Sequence, residues 1–227
     1  MFEHITINEV DAIQNQIGTT TTESGRTYTV SESEFYPSIT TILGHGKKQS
    51  LMEWRERVGE EEANRISRKA AVNGTKVHNL VEKLLNNEHI DLSKETPLTT
   101  MSFGALEKIL RKNLGTIYAT ECALYSKYLG VAGRVDCVGV FNDNLSIIDF
   151  KTSRRRKYKN QIENYFMQEA AYAIMFEELT AIPVKQLVTL MVVNGESDAQ
   201  IFVEDRDNWV TKLETAIQIY YNEVLSL

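Results

Sequence analysis

Two short segments hold the residues best suited to chemistry, Gly133-Arg134-Val135-Asp136 and Ile147-Ile148-Asp149-Phe150-Lys151. A turn-forming Asn142-Asp143-Asn144 lies between them, flanked by Val/Ile/Phe-rich runs, so the two read as strands of a hairpin. Side chains alternate along a strand, which puts Ile147, Asp149 and Lys151 on one face and Ile148 and Phe150 on the other. Two carboxylates and a lysine then meet on one sheet. Carboxylate oxygens bind hard divalent cations, and an ammonium beside them can assist hydrolysis. An Asp and a Lys on an exposed strand face are ordinarily just solvated charges. Asp136 on the neighbouring strand is what lifts the pair above that reading.

Two long helices must position this sheet. From about Glu60 to Asn87 the chain has few breakers and an apolar rhythm through Ile66, Ala70, Val77, Leu80, Val81, Leu84 and Leu85. His78 shares a stripe with Ala71, Gly74, Glu82 and Leu85, so small side chains one turn earlier permit close approach to another element. A lone His on such a helix is more often packed than ligating, unless an acidic site lies nearby. From Tyr158 to about Thr180 a second helix follows the Lys151 strand. It carries Gln161, Tyr165, Gln168 and Tyr172 on one side, distinct from the apolar face of Ala170, Ala171 and Ile174. Such amides and phenols can border a core, or can orient phosphate or water and stack on a base.

Taken together these residues resemble the PD-(D/E)xK nucleases of the RecB-like type. The family's ordered motifs correspond here to Gly74-Thr75-Lys76-Val77-His78, Glu121, Gly133-Arg134-Val135-Asp136, Asp149-Phe150-Lys151 and Gln168-Glu169-Ala170-Ala171-Tyr172. The likeness is strongest to the subgroup of mitochondrial genome maintenance exonucleases and their phage-encoded relatives. Tyr36-Pro37-Ser38-Ile39-Thr40-Thr41-Ile42-Leu43 looks like the N-terminal signature of the phage members, which puts Ser38 among the DNA-contacting candidates. The resemblance implies that Asp136, Asp149, His78 and the Phe150 carbonyl hold Mg²⁺ or Mn²⁺. It implies that Lys151 orients or deprotonates water, that Glu121 holds a water or a second ion, and that Gln168 and Tyr172 orient Lys151 or the substrate. Thr152 and Ser153 would touch phosphate. Some relatives hold an iron-sulfur cluster on four cysteines, but this chain has only Cys122 and Cys137, so no cluster is expected and both read as small buried residues.

The chain has 227 residues, 42% of them hydrophobic, with three prolines and no repeat, which fits one compact domain. The expected fold is α/β, a central mixed sheet flanked by helices in the manner of restriction endonucleases. Residues 1–58 would form an accessory region packed on a nuclease core of residues 59–227. That accessory region is expected to hold a hairpin near Ser24-Gly25 and short helices near Ile39–Leu43 and Leu51–Arg57. Beyond it come a loop around Pro97, a helix near Leu106–Leu114, strands over 116–128, 131–141, 145–152, 186–193 and 199–203, and a last helix from about Arg206 to Leu225.

A net charge of −6 is awkward for a DNA-binding protein, because phosphate neutralisation supplies most nonspecific affinity. The run Arg154, Arg155, Arg156, Lys157 and Lys159 answers this by placing cations immediately after the Lys151 strand, with Lys47, Lys48, Arg65, Arg68 and Lys69 as lesser candidates. No run approaches the roughly 18 apolar residues of a membrane span. Glu3, Glu9, Asp11 and Glu23 precede the first Arg or Lys, Arg26, which is the reverse of a transit peptide. The expectation is a cytoplasmic protein, in the bacterial host if phage-encoded. Three readings stay open: a DNA exonuclease preferring single-stranded or frayed ends, a structure-selective or site-specific endonuclease, and a noncatalytic DNA-binding subunit. The last normally lacks an Asp or the Lys, and all are present. Replication or recombination proteins are candidate partners, and the residues do not decide oligomeric state.

Overall fold

The computed structural model describes residues 1–14 and 16–225. In chain order it contains α1 (Asn8–Gln14), β1 (Gly18–Thr22), β2 (Gly25–Thr29), β3 (Phe35–Pro37), α2 (Ile39–His45), α3 (Lys48–Val58), α4 (Glu60–Leu85) and α5 (Pro97–Asn113). There follow β4 (Leu114–Ser126), β5 (Val131–Phe141), β6 (Asn144–Ser153), α6 (Glu163–Thr180), β7 (Gln186–Val193), β8 (Gln200–Asp205) and α7 (Val210–Leu225). The five strands β4 to β8 form one sheet in sequence order. All its neighbours pair antiparallel except β6 and β7, which are parallel. A parallel pair needs a crossover, and α6 supplies it.

Two apolar layers sandwich the sheet. On one side α6 packs with α2 and α7 around Val135, Ile147, Phe166, Tyr172 and Leu187. On the other, α4 and α5 pack Val77, Leu80, Val81, Phe103 and Leu106 against Cys137, Ile148 and Phe150. The alternation read from β6 is therefore used by the fold, with Ile147 facing one layer and Ile148 and Phe150 the other. This is the mixed α/β architecture expected of the chain. The first half of α4 is different, since its only buried residue before Val77 is Ala63, and it stands off the core.

The N-terminal residues join the α6-side layer through Ile7, Val10, Ile39, Ile42 and Leu43. They also add a separate antiparallel sheet, β1-β2-β3. Helix α1 and strand β3 were not expected; Val10 is the only buried residue of α1, too little for a periodic signal. The loop expected at Pro97 is instead the start of α5: Thr96 Oγ1 caps Thr99 N at 3.2 Å and Pro97 takes the first turn, where its missing N–H costs nothing. Helix α6 starts at Glu163 rather than Tyr158, because a 3₁₀ turn at Lys159–Gln161 intervenes and Gln161 Oε1 accepts from Tyr158 N at 3.0 Å. A similar 3₁₀ turn at Arg206–Asn208 precedes α7. Cys122 and Cys137 are buried free thiols. Among the described residues no helix is long and apolar enough to cross a membrane.

Candidate active site

The site opens where two strands part. Pairing of β5 with β6 runs from Phe141↔Asn144 to Cys137↔Ile148 and stops there, while β6 continues along β7 to Ser153↔Val193. Beyond the split the Phe150 N–H has no strand partner, and Asp136 Oδ2 accepts it at 2.8 Å. The N–H and C=O of one strand residue leave by the same edge, so the Phe150 carbonyl also faces this gap.

Three ligating side chains converge on the α4 side of the gap. One ligand atom from each of His78, Glu121 and Asp136 lies within 4.8 Å of the other two. His78 Nδ1 is 3.6 Å from Asp136 Oδ2, and the imidazole meets the Phe150 ring edge-on with centroids 6.1 Å apart. Glu121 has φ +46°, a left-handed conformation rarely adopted by residues with a side chain. Arg134 Nη1 donates to the Glu121 carbonyl at 2.5 Å and holds this irregularity in β4. Burial, then the charge of Asp136, pushes the Glu121 carboxyl up to about 7. Two repelling carboxylates and an imidazole, half-withdrawn from water, suit a divalent cation that accepts oxygen and nitrogen donors.

Asp149 sits on the α6 side of the same gap and is only 1% exposed. Its Oδ1 accepts from Gln168 Nε2 at 3.3 Å, while Oδ2 forms an ion pair with the Lys151 ammonium and receives no regular hydrogen bond. Burial pushes Asp149 up to about 6, against the pull of Lys151. Burial works against the Lys151 ammonium too, but the carboxylates of Asp149 and Asp136 outweigh it and hold Lys151 above its ordinary range. The ammonium lies 5.0 Å from the centre of the Tyr165 ring, a favourable cation–π position. Gln168 Nε2 also donates to Tyr172 Oη at 3.0 Å, tying the two residues of the α6 motif together. Gly133 explains itself here: a Cβ at that position would lie 2.5 Å from Tyr172 Cε1 and 3.2 Å from Ile39 Cγ2.

The basic run after β6 divides in two. Arg156 pairs with Glu196 (Nη2 to Oε2, 2.6 Å) and Lys159 with Glu204 (2.6 Å). Arg154, Arg155 and Lys157 have no ion pair among the described residues, and the Lys157 backbone is pinned by Gln200 through two bonds of 2.9 Å. Ser153 Oγ donates to the Arg155 carbonyl at 2.6 Å, shaping the turn. Thr152 lies beneath Gly74 of α4, where a Cβ would stand 3.6 Å from Thr152 Oγ1. Ser38 is buried and caps α2, with Oγ accepting from Thr40 N at 3.3 Å.

The candidate set thus assembles around one split in the sheet, with Glu121 beside His78 and Asp136, and Asp149 turned toward Lys151 and Gln168. Two further residues of α6 take part: Tyr165, which the sequence placed only on the polar stripe, and Glu169, to which it gave no role. Tyr165 supports Lys151, and Glu169 is fully buried with Oε1 bonded to Thr189 Oγ1 and Oε2 unpartnered. Burial, then the charge of Asp149, holds Glu169 well above the usual carboxylate range. A glutamate within the nearly all-apolar stretch Phe166–Phe176 was the available signal.

The sequence profile of the PD-(D/E)XK nuclease superfamily matches residues 48–223. Human mitochondrial genome maintenance exonuclease 1 is 25% identical over 131 residues, which cover 53% of this chain and 38% of that protein. The mouse protein of the same name is 29% identical over 149 residues, covering 60% and 43%. The matched stretch is therefore under half the length of these relatives. Because the profile spans most of the chain and the folded motifs meet at one gap, the chain belongs to the PD-(D/E)XK nuclease superfamily.

Proposed function

We propose that this nuclease is a divalent-metal-dependent DNA exonuclease that hydrolyses phosphodiester bonds from single-stranded or frayed ends, in DNA replication, recombination or repair. The observation that carries the reading is the pair of buried Asp149 and half-buried Lys151 beside the His78, Glu121 and Asp136 cluster at a strand split. The name of the human and mouse relatives, mitochondrial genome maintenance exonuclease 1, supports DNA and end-directed cleavage.

His78, Glu121 and Asp136 would hold Mg²⁺ or Mn²⁺ together with Asp149 and the Phe150 carbonyl. When bound, such a cation supplies charge that polarises a phosphoryl oxygen and makes water more acidic. Lys151 orients the attacking water by hydrogen bonding and offsets charge developing on the phosphorus-bound oxygens. Asp149 holds the Lys151 ammonium in place, and Gln168 holds Asp149. Tyr165 limits the swing of the lysine, and Tyr172 fixes the Gln168 amide. Arg154, Arg155 and Lys157, which form no ion pair among the described residues, draw the backbone phosphates toward the gap. Thr152 and Ser153 add hydroxyls at the end of β6.

The test is digestion of end-labelled linear DNA and closed single-stranded circles with Mg²⁺, Mn²⁺ or EDTA. Metal-dependent loss of linear DNA with circles spared supports the exonuclease. Cleavage of circles replaces it with an endonuclease, and inertness toward every substrate replaces both with a noncatalytic DNA-binding role.

A further inference from the structure

Beyond Lys151, strand β6 continues through Thr152 and Ser153 into a cleft of about 180 Å³, roofed by the stand-off half of α4. Arg65, Lys69 and Asn73 line it from above, and Thr152, Ser153 and Arg154 from below. It adjoins a larger groove of about 550 Å³ between α4 and the start of α5, which shares Arg65, Lys69 and Asn73 and adds Arg68 and Val72.

We infer that these neighbouring clefts bind the stretch of single-stranded DNA adjoining the scissile phosphate. The inference rests on the hydrolytic reading above and extends it to a defined substrate track. Its first support is charge. The chain is net negative, yet no acidic residue lines either cleft. Arg65 is tied to Glu62 on the outer surface and Lys76 to Glu95 at 2.8 Å, but Arg68, Lys69 and Arg154 have no ion pair among the described residues. Glu62 answers Arg65 and also feels the charge of Arg154, which leaves Arg68 and Lys69, adjacent on α4, as the unmatched cations of the clefts among the described residues, and a polyanion relieves their repulsion.

Continuity is the second support, because Thr152 and Ser153 belong both to the cleft and to the strand that carries Asp149 and Lys151. Size is the third. The first cleft admits a phosphate and part of a sugar but not two paired strands. The groove beyond offers Val72, 53% exposed, together with Leu98 as an apolar floor for unpaired bases. Without an aromatic ring there, the grip falls on the backbone and tolerates any base.

The experiment is fluorescence anisotropy of labelled oligothymidylates, short and long, in EDTA across a salt series. It compares wild type with the Arg68→Ala/Lys69→Ala double variant and with Val72→Asp. All three positions are exposed on α4, and melting curves check that each variant folds. The expected result is tighter wild-type binding of the longer strand. The double variant should lose that length advantage, bind roughly tenfold more weakly, and show a log–log salt slope smaller by about 1.4, which is about 0.7 for each phosphate contact removed. Val72→Asp should weaken binding of the long strand more than of the short one. Wild-type-like affinity and slope in both variants would overturn the inference, and so would equal losses on a blunt duplex. The two claims fail separately. Wild type that cleaves DNA while the variants bind normally removes the track but keeps the nuclease, whereas wild type that binds as described and cleaves nothing under Mg²⁺ or Mn²⁺ removes the hydrolytic reading alone.

Discussion

Glu121→Gln separates a metal-ligand account of Glu121 from a merely structural one. Burial and the nearby Asp136 carboxylate raise the Glu121 pKa from 4.5 to about 7 in the folded chain. Below about pH 4.5 both folded and unfolded chains carry the proton and the shift contributes nothing. As pH rises toward 7 the unfolded chain releases its proton first, so stability falls across that window and levels off above it. At 1.36 kcal/mol per pKa unit the loss has a ceiling of about 3 kcal/mol. The carboxyl still reaches water, which reduces this to about 1–2 kcal/mol. Glutamine is neutral in both states, so the variant escapes the loss. Asp149 and Glu169 are raised in the same sense, and comparing the variant with wild type cancels their contribution. In thermal melts with EDTA, Glu121→Gln should match wild type near pH 4.5 and melt about 2–8 °C higher at pH 7.5. Adding Mn²⁺ should then stabilise wild type strongly and the variant weakly, reversing their order. Equal melting of the two at pH 7.5 in EDTA, or equal stabilisation by Mn²⁺, would refute the reasoning.

Other perturbations probe the opposite side of the gap. Asp149→Asn keeps the side-chain shape and should lower cleavage by at least about a hundredfold. It should cost no more than about 3 kcal/mol in urea unfolding, since Lys151 remains partly exposed; a fully active variant would contradict its assignment. Gly133→Ala drives a methyl into Tyr172 and Ile39 and should cost about 1–3 kcal/mol with a loss of activity, and wild-type stability would show that the close approach is dispensable. Arg155→Ala should raise the KM for long DNA and flatten its salt dependence, since one phosphate contact is worth about 0.7 in the single-strand slope. An unchanged slope would reduce the basic run to a connector.

How far the site could be read in advance depended on whether its determinants were local. The β6 alternation and the turn at Asn142–Asn144 are local patterns, and they placed Asp149, Lys151 and Phe150 on their correct faces. The pairing of Gln168 with Tyr172 follows from helical spacing in the same way. The end of the β5–β6 ladder at Cys137↔Ile148 is not local; it depends on how two strands diverge under α4 and α6, and no residue type announces it. The family resemblance named His78, Glu121 and Asp136 as parts of one site, but how they meet, at a left-handed break in β4 that a strand pattern does not anticipate, is seen only in the fold. The basic run was visible as composition, but the pairing of Arg156 with Glu196 and of Lys159 with Glu204 involves residues distant in sequence. Thr96-Pro97 was misread as a loop because a proline at the first turn of a helix and a proline in a loop look alike until the cap is seen.

The central claim is that the Asp149–Lys151 pair and the His78, Glu121 and Asp136 cluster form one metal-dependent hydrolytic site. Its most direct test is single-turnover cleavage of an end-labelled single-stranded oligonucleotide by wild type and Lys151→Ala, each with Mn²⁺ and with EDTA. The account predicts cleavage only by wild type with Mn²⁺, while Lys151→Ala still binds the oligonucleotide. Cleavage by Lys151→Ala at the wild-type rate, or by wild type in EDTA, would contradict it.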